Sequence, residues 1–119
     1  IVSGEVFVPH SKGKGAARPV AVGEAVPTQY ALYQNAPNPF NPETVIRFDV
    51  PEPATVELRI FDLLGQQVLR LVSEEAQAGA YTVHWNGRNA HGQPMATGVY
   101  ICRLQAGSFV QVRKMTLLR

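Results

Sequence analysis

One cysteine, Cys102, and three scattered histidines, His10, His84 and His91, are all the thiol and imidazole ligands in the chain. A single thiol excludes an internal disulfide and a thiolate zinc site. Asn86, Asn89 and His91 share a loop, but they lack the carboxylates a calcium site needs, so no metal or cofactor site is expected. No apolar run reaches the ~18 residues that a membrane-crossing helix requires. The opening Ile1-Val2-Ser3-Gly4-Glu5 has no signal-peptide n-region, and the sequence reads as one module of a longer chain. Charge is equally sparse. The net formal charge is +2, with Lys12, Lys14 and Arg18 early, Arg47, Arg59 and Arg103 within alternating runs, and Arg113, Lys114 and Arg119 at the end. A nucleic-acid interface needs a denser basic footprint interleaved with aromatics, so no nucleic-acid partner is expected. A domain of 119 residues makes one core but no deep cleft between lobes, and no Ser, His and Asp set has the local spacing of a triad. The chain is not expected to be an enzyme.

What is present is a short-strand pattern behind a flexible start. Residues 1–29 read as a linker, with Val6-Phe7-Val8 as the possible end of a preceding domain and the small residues from Ser11 to Pro19 as the flexible part. From Tyr30 to Arg119, turn signals punctuate β-type runs at regular intervals. This predicts an all-β, immunoglobulin-like antiparallel β-sandwich of about seven strands.

Thr44–Val50 alternates with Ile46, Phe48 and Val50 on one face, until Pro51 and Pro53 end the pairing. Thr55–Phe61 turns Val56, Leu58 and Ile60 inward, and Asp62-Leu63-Leu64-Gly65 supplies a turn with Asp first and Gly fourth. Val68–Ala76 fits either a helix or a strand followed by a loop. The β-type neighbours on both sides favour the strand, with Gln66–Val72 returning as the hairpin partner of Thr55–Phe61 and a loop from Ser73. Tyr81, Val83 and Trp85 form another inward row, and Tyr100, Cys102 and Leu104 another. The last hairpin pairs Val99–Gln105 with Phe109–Leu118. In its second strand Phe109, Met115 and Leu117 share a parity with Gln111 and Arg113, which predicts a bulge or an exposed middle.

Asn38-Pro39-Phe40-Asn41-Pro42 is the sharpest punctuation. Both prolines lack an N–H and both asparagines precede proline, so a helix is untenable and Phe40 is expected to plug one end of the core. This motif, Phe61-Asp62-Leu63-Leu64-Gly65, Gly79 with Trp85-Asn86-Gly87-Arg88-Asn89, Gly98-Val99-Tyr100, and Lys114-Met115-Thr116-Leu117-Leu118 occur in that order. Together they closely resemble the C-terminal sorting domain of the type IX secretion system. They are also similar to the flagellar hook-capping immunoglobulin-like domain.

The resemblance covers residues 30–119. It implies a non-catalytic module appended to a secreted bacterial protein, often a hydrolase, exported via the periplasm and attached at the outer-membrane cell surface. Its implied partners are the outer-membrane secretion machinery, a cell-surface component and the covalently linked upstream domain. Lys114, Met115, Thr116, Leu117, Leu118 and Arg119 are the implied recognition strand. Many members carry Asp where this chain has Asn86 and Asn89. Any cleavage site would fall in the linker between Ser11 and Thr28.

Each sharp reading has a plainer competitor. The terminal strand can simply close the sheet, its Lys and Arg serving as ordinary edge-strand protection. Leu63-Leu64 can dock a partner, or one leucine can fold back over the sandwich end. Trp85 can stack on a sugar, as in a carbohydrate-binding or adhesion module of a glycoside hydrolase, but its alternation with Tyr81 and Val83 favours the core. A passive spacer is the blandest alternative. From the sequence, Met115 and Leu117 should hold the strand in the sheet while Lys114 and Arg119 stay available to a partner.

Overall fold

The computed structural model of the chain describes residues 19–22 and 26–119; the Val6–Val8 strand and the segment 11–18 of the linker lie outside them. The elements are β1 (Val20–Val22), β2 (Ala31–Leu32), β3 (Thr44–Val50), β4 (Ala54–Phe61), β5 (Gln67–Ala76), β6 (Gly79–Trp85), β7 (Gly98–Ala106) and β8 (Phe109–Leu117). They form two four-stranded sheets, β1-β6-β3-β2 and β5-β4-β7-β8. Every strand pair is antiparallel, so this is the expected immunoglobulin-like sandwich.

The inward rows are those the alternation predicts: Ile46, Phe48 and Val50 face Val56, Leu58 and Ile60 across a core that Tyr81, Val83, Trp85, Cys102 and Leu104 complete. Two features depart from expectation, and a third resolves an expected alternative. Val20–Val22, read as linker, is an edge strand that pairs with Ala80–Thr82 and buries Ala21. Three residues are too short to show a period, and only the partner strand makes them β. Second, β5 continues to Ala76 opposite Ala54, where a loop was expected from Ser73 onward. Its register against β4 shifts twice, leaving Leu71 and Val68 as extra residues. These bulges explain the helix-like look, because they let Val68-Leu69 and Leu71-Val72 be buried as consecutive pairs.

Third, β8 pairs with β7 without a register shift, and its middle is exposed: Val110 and Val112 are more than half open to solvent. Gln111 and Arg113 face inward because they have work on the other sheet. The Leu32 N–H donates to Gln111 Oε1 at 3.1 Å, and Arg113 Nε donates to the Leu32 carbonyl at 2.9 Å. Two side chains thus do for β2 what a neighbouring strand would do. On the outside of the same sheet the Tyr33 hydroxyl donates to Asp49 Oδ2, and Arg47 lies 5.2 Å from the Tyr33 ring centre. The hydrogen bond to Asp49, more than burial, raises the Tyr33 pKa above its ordinary value.

Burial pushes the Cys102 thiol up from 9.0 to about 12. A raised folded value favours the neutral thiol, so its contribution is complete below about pH 9 and is lost as pH climbs towards 12. Native protein should therefore resist a thiol-specific reagent that labels the unfolded chain at once. Cys102→Ala should lose about 1 kcal/mol at neutral pH, and its melting temperature should fall less than that of the parent between pH 9 and 10.

Candidate functional site

The five segments that carry the resemblance lie far apart in sequence, and four of them assemble at the end of the sandwich where β8 finishes, except that Gly79 stands at the far end of β6, opposite Val50. The loop after β2 begins with a buried amide: Asn35 Nδ2 donates to Thr44 Oγ1 at 3.0 Å and to the Pro37 carbonyl at 3.1 Å. Ala36 and Val45 exchange backbone hydrogen bonds, so the loop's entry and exit are clamped together. Its three prolines cannot donate, and of the residues between them it is Phe40 whose N–H and carbonyl both pair with another strand.

Phe40 does pair, with the terminal strand. Its N–H donates to the Thr116 carbonyl and its own carbonyl accepts from the Leu118 N–H, both at 2.9 Å. The Thr116 N–H donates to Asn38 Oδ1 at 2.9 Å. A short parallel bridge therefore covers the edge of β8 that β7 leaves open. The Phe40 ring enters the core 5.5 Å from Trp85, and Trp85 meets Tyr100 edge-on at 5.6 Å. Both polar tips are satisfied: Trp85 Nε1 donates to the Arg88 carbonyl and the Tyr100 hydroxyl to that of Ala96. Trp85 is 1% exposed, which closes the sugar-stacking reading for that residue.

Along Lys114–Arg119 the roles divide residue by residue. Met115 and Leu117 are fully buried, with Leu117 opposite Gly98 and Met115 opposite Tyr100. Lys114 projects into solvent, while its carbonyl accepts from Gln34 Nε2 at 2.6 Å. Thr116 is half-buried and Leu118 exposed. Arg119 is not free, contrary to expectation. Its N–H donates to Thr97 Oγ1, Nε to the Met95 carbonyl at 2.6 Å, and a terminal nitrogen to the Gly87 carbonyl at 2.8 Å. Gly87 has φ +75°, and a Cβ there would lie 3.0 Å from the Pro42 carbonyl and 3.1 Å from Arg119. Only glycine lets the loop after β6 approach both Asn41-Pro42 and the last residue. This convergence is spatial, and no local pattern in the sequence announces it.

The fifth segment forms a separate feature. Asp62 Oδ1 accepts from the N–H groups of Leu64 and Gln66, the Asp62 N–H donates to the Gln66 carbonyl, and Gly65 (φ +85°) donates back to the Asp62 carbonyl. Asn89 repeats each of these bonds with His91, Gln93 and Gly92 (φ +80°). A cleft of about 330 Å³ separates the two loops, lined by Asp62, Gln66, Val68, Asn89, His91 and Met95 among others. Neither leucine of the first loop folds back: Leu63 is 65% and Leu64 84% exposed. The rigid Asx turn fixes the backbone with both side chains pointing away.

The FlgD Ig-like domain family matches residues 35–108. No curated protein matches the sequence. Among solved structures, the chain superposes on dimeric latent PorU from Porphyromonas gingivalis with a TM-score of 0.58 at 19% identity, over 83% of this chain and 10% of that one. It superposes on PorZ with a TM-score of 0.50 at 18% identity, over 92% of this chain and 16% of that one. PorZ is described as an essential bacterial surface component of the type IX secretion system of the same organism. At these identities the likeness is one of fold.

Removing the plug should be far more damaging than removing the strand's outward charge. Phe40→Ala is expected to cost about 3–5 kcal/mol, Asn38→Ala about 1 kcal/mol, and Lys114→Gln less than about 0.5 kcal/mol, all read from denaturant unfolding.

Proposed function

The chain belongs to the FlgD Ig-like domain family, and from that premise we propose that it is a non-catalytic export and attachment module of a larger secreted bacterial protein. In this reading the Lys114–Arg119 strand is an address for outer-membrane type IX secretion machinery, and the cargo passes through the periplasm to the cell surface. The observation that carries the proposal is the way this strand is mounted. Its backbone is engaged on both edges, by β7 and by Asn38–Phe40, so a partner meets a fixed row of side chains. Lys114 and Leu118 are exposed, and so is Arg119, whose side chain is held by the Met95 and Gly87 carbonyls. The surface role described for PorZ, which shares the fold, supports the type IX assignment.

This geometry also decides how the address must be tested. Deleting residues 114–119 would remove Met115 and Leu117 from the core and Arg119 from its three acceptors, so secretion would fail for lack of a fold. The informative variant is Lys114→Glu with Leu118→Ser, which changes only exposed side chains. Fused behind a reporter in a bacterium with type IX secretion, it should be exported at least about tenfold less than the parent while melting within about 2 °C of it. Undiminished export at an unchanged melting temperature would leave the module a spacer.

A further inference from the structure

We propose a second recognition surface, on the outer face of the β5-β4-β7-β8 sheet, where Arg70, Arg59 and Arg103 stand side by side and bind an acidic segment of a protein partner. The three are direct cross-strand neighbours, Arg70 opposite Arg59 and Arg59 opposite Arg103, with Val112 next in the row on β8. Like charges directly opposite one another weaken a sheet, so nothing in strand pairing calls for this arrangement. The bulge at Leu71 creates it: in an unbroken register Leu71, not Arg70, would face Arg59.

The protein supplies one carboxylate to the row. Glu57 Oε1 accepts from Arg59 at 2.6 Å, while Glu57 Oε2 lies 3.9 Å from Arg70. Arg59 Nε is sealed from solvent without an acceptor. Arg103 makes no ion pair among the described residues; its guanidinium lies 5.0 Å from the Phe61 ring centre, a stacking that holds the fork in place and leaves its N–H edges open. Lys114, opposite Ile101, adds a fourth cation beside the row. The acid on the same face is otherwise distant, Glu75 standing two rows away opposite Thr55.

Charge alone would fit any anion, and the apolar neighbours narrow the choice. Val110 and Val112 are exposed beside the arginines, and Phe61 and Ile101 are half-covered in the next row. A phosphate or a sulfated sugar would satisfy the guanidinium groups and leave these side chains wet. A protein segment that alternates carboxylates with aliphatic residues covers both, with bidentate Arg–carboxylate pairs setting its position. This surface is tested apart from the export address: it shares only Lys114 with it, and the variants below leave Lys114 unchanged and are read in vitro.

The test uses a fluorescein-labelled peptide, Glu-Val-Glu-Val-Glu, and the purified chain in low salt. The double variant Arg70→Gln with Arg103→Gln should weaken binding at least about tenfold, and added salt should do the same. Arg47→Gln with Arg88→Gln removes equal charge on the other sheet and in the loop after β6, and should leave binding unchanged. The Arg double variant should also melt about 1–3 °C higher, since it relieves repulsion. Equal weakening by the two pairs, no binding at millimolar peptide, a lowered melting temperature, or tighter binding of heparin or inorganic phosphate than of peptide would each overturn the proposal.

Discussion

Phe40 is the residue on which the rest of the architecture turns. A sandwich of two short sheets splays at its ends, and here one end is closed by an aromatic ring delivered from a loop that cannot form regular structure. The prolines on either side remove competing donors, and the Asn35–Thr44 clamp sets the loop's position. The Phe40 backbone then serves Thr116 and Leu118 as a substitute strand. Core closure and edge protection are therefore one interaction, and neither can be altered without the other.

The same economy recurs wherever a strand lacks a neighbour. Gln111 and Arg113 satisfy the Leu32 backbone, Gln34 satisfies Lys114, and Arg119 ties together two loops through their carbonyls. A disulfide-free domain of this size has a limited core to stabilise it. Side-chain-to-backbone bonds between elements far apart in sequence fix the ends of strands without adding residues. They also make the terminal segment a stiff ledge, which is what a partner reading side chains at fixed spacing needs.

Much of this was legible in the residues and some could not be. The strands β3, β4, β6 and β7 are strict period-2 runs, and each buries the face its alternation names. The plug was readable because Phe40 is the one large apolar residue between prolines that exclude a helix. By contrast, β1 is β only through its partner, and β5 hides its period behind two bulges. At the candidate site, burial of Met115 and Leu117 followed from parity, whereas the capture of Arg119 depends on Gly87 and Met95 folding towards it. Local pattern reports which face a residue takes; it carries no information about which distant carbonyl will be waiting there.

The paired Asx loops at Asp62 and Asn89 hold a consequence for how such a domain can diversify. In each, the hydrogen bonds that set the shape come from the Asx side chain, the backbone and a left-handed glycine. Of the two residues between Asx and Gly, Leu63-Leu64 in one and Ala90-His91 in the other, only the second donates its N–H to that frame, and the Ala90 N–H reaches the Val68 carbonyl instead. Identity at those positions is uncoupled from folding. The domain thereby carries two interchangeable cassettes on either side of a cleft, whose tips selection can rewrite for new neighbours while the scaffold beneath stays untouched.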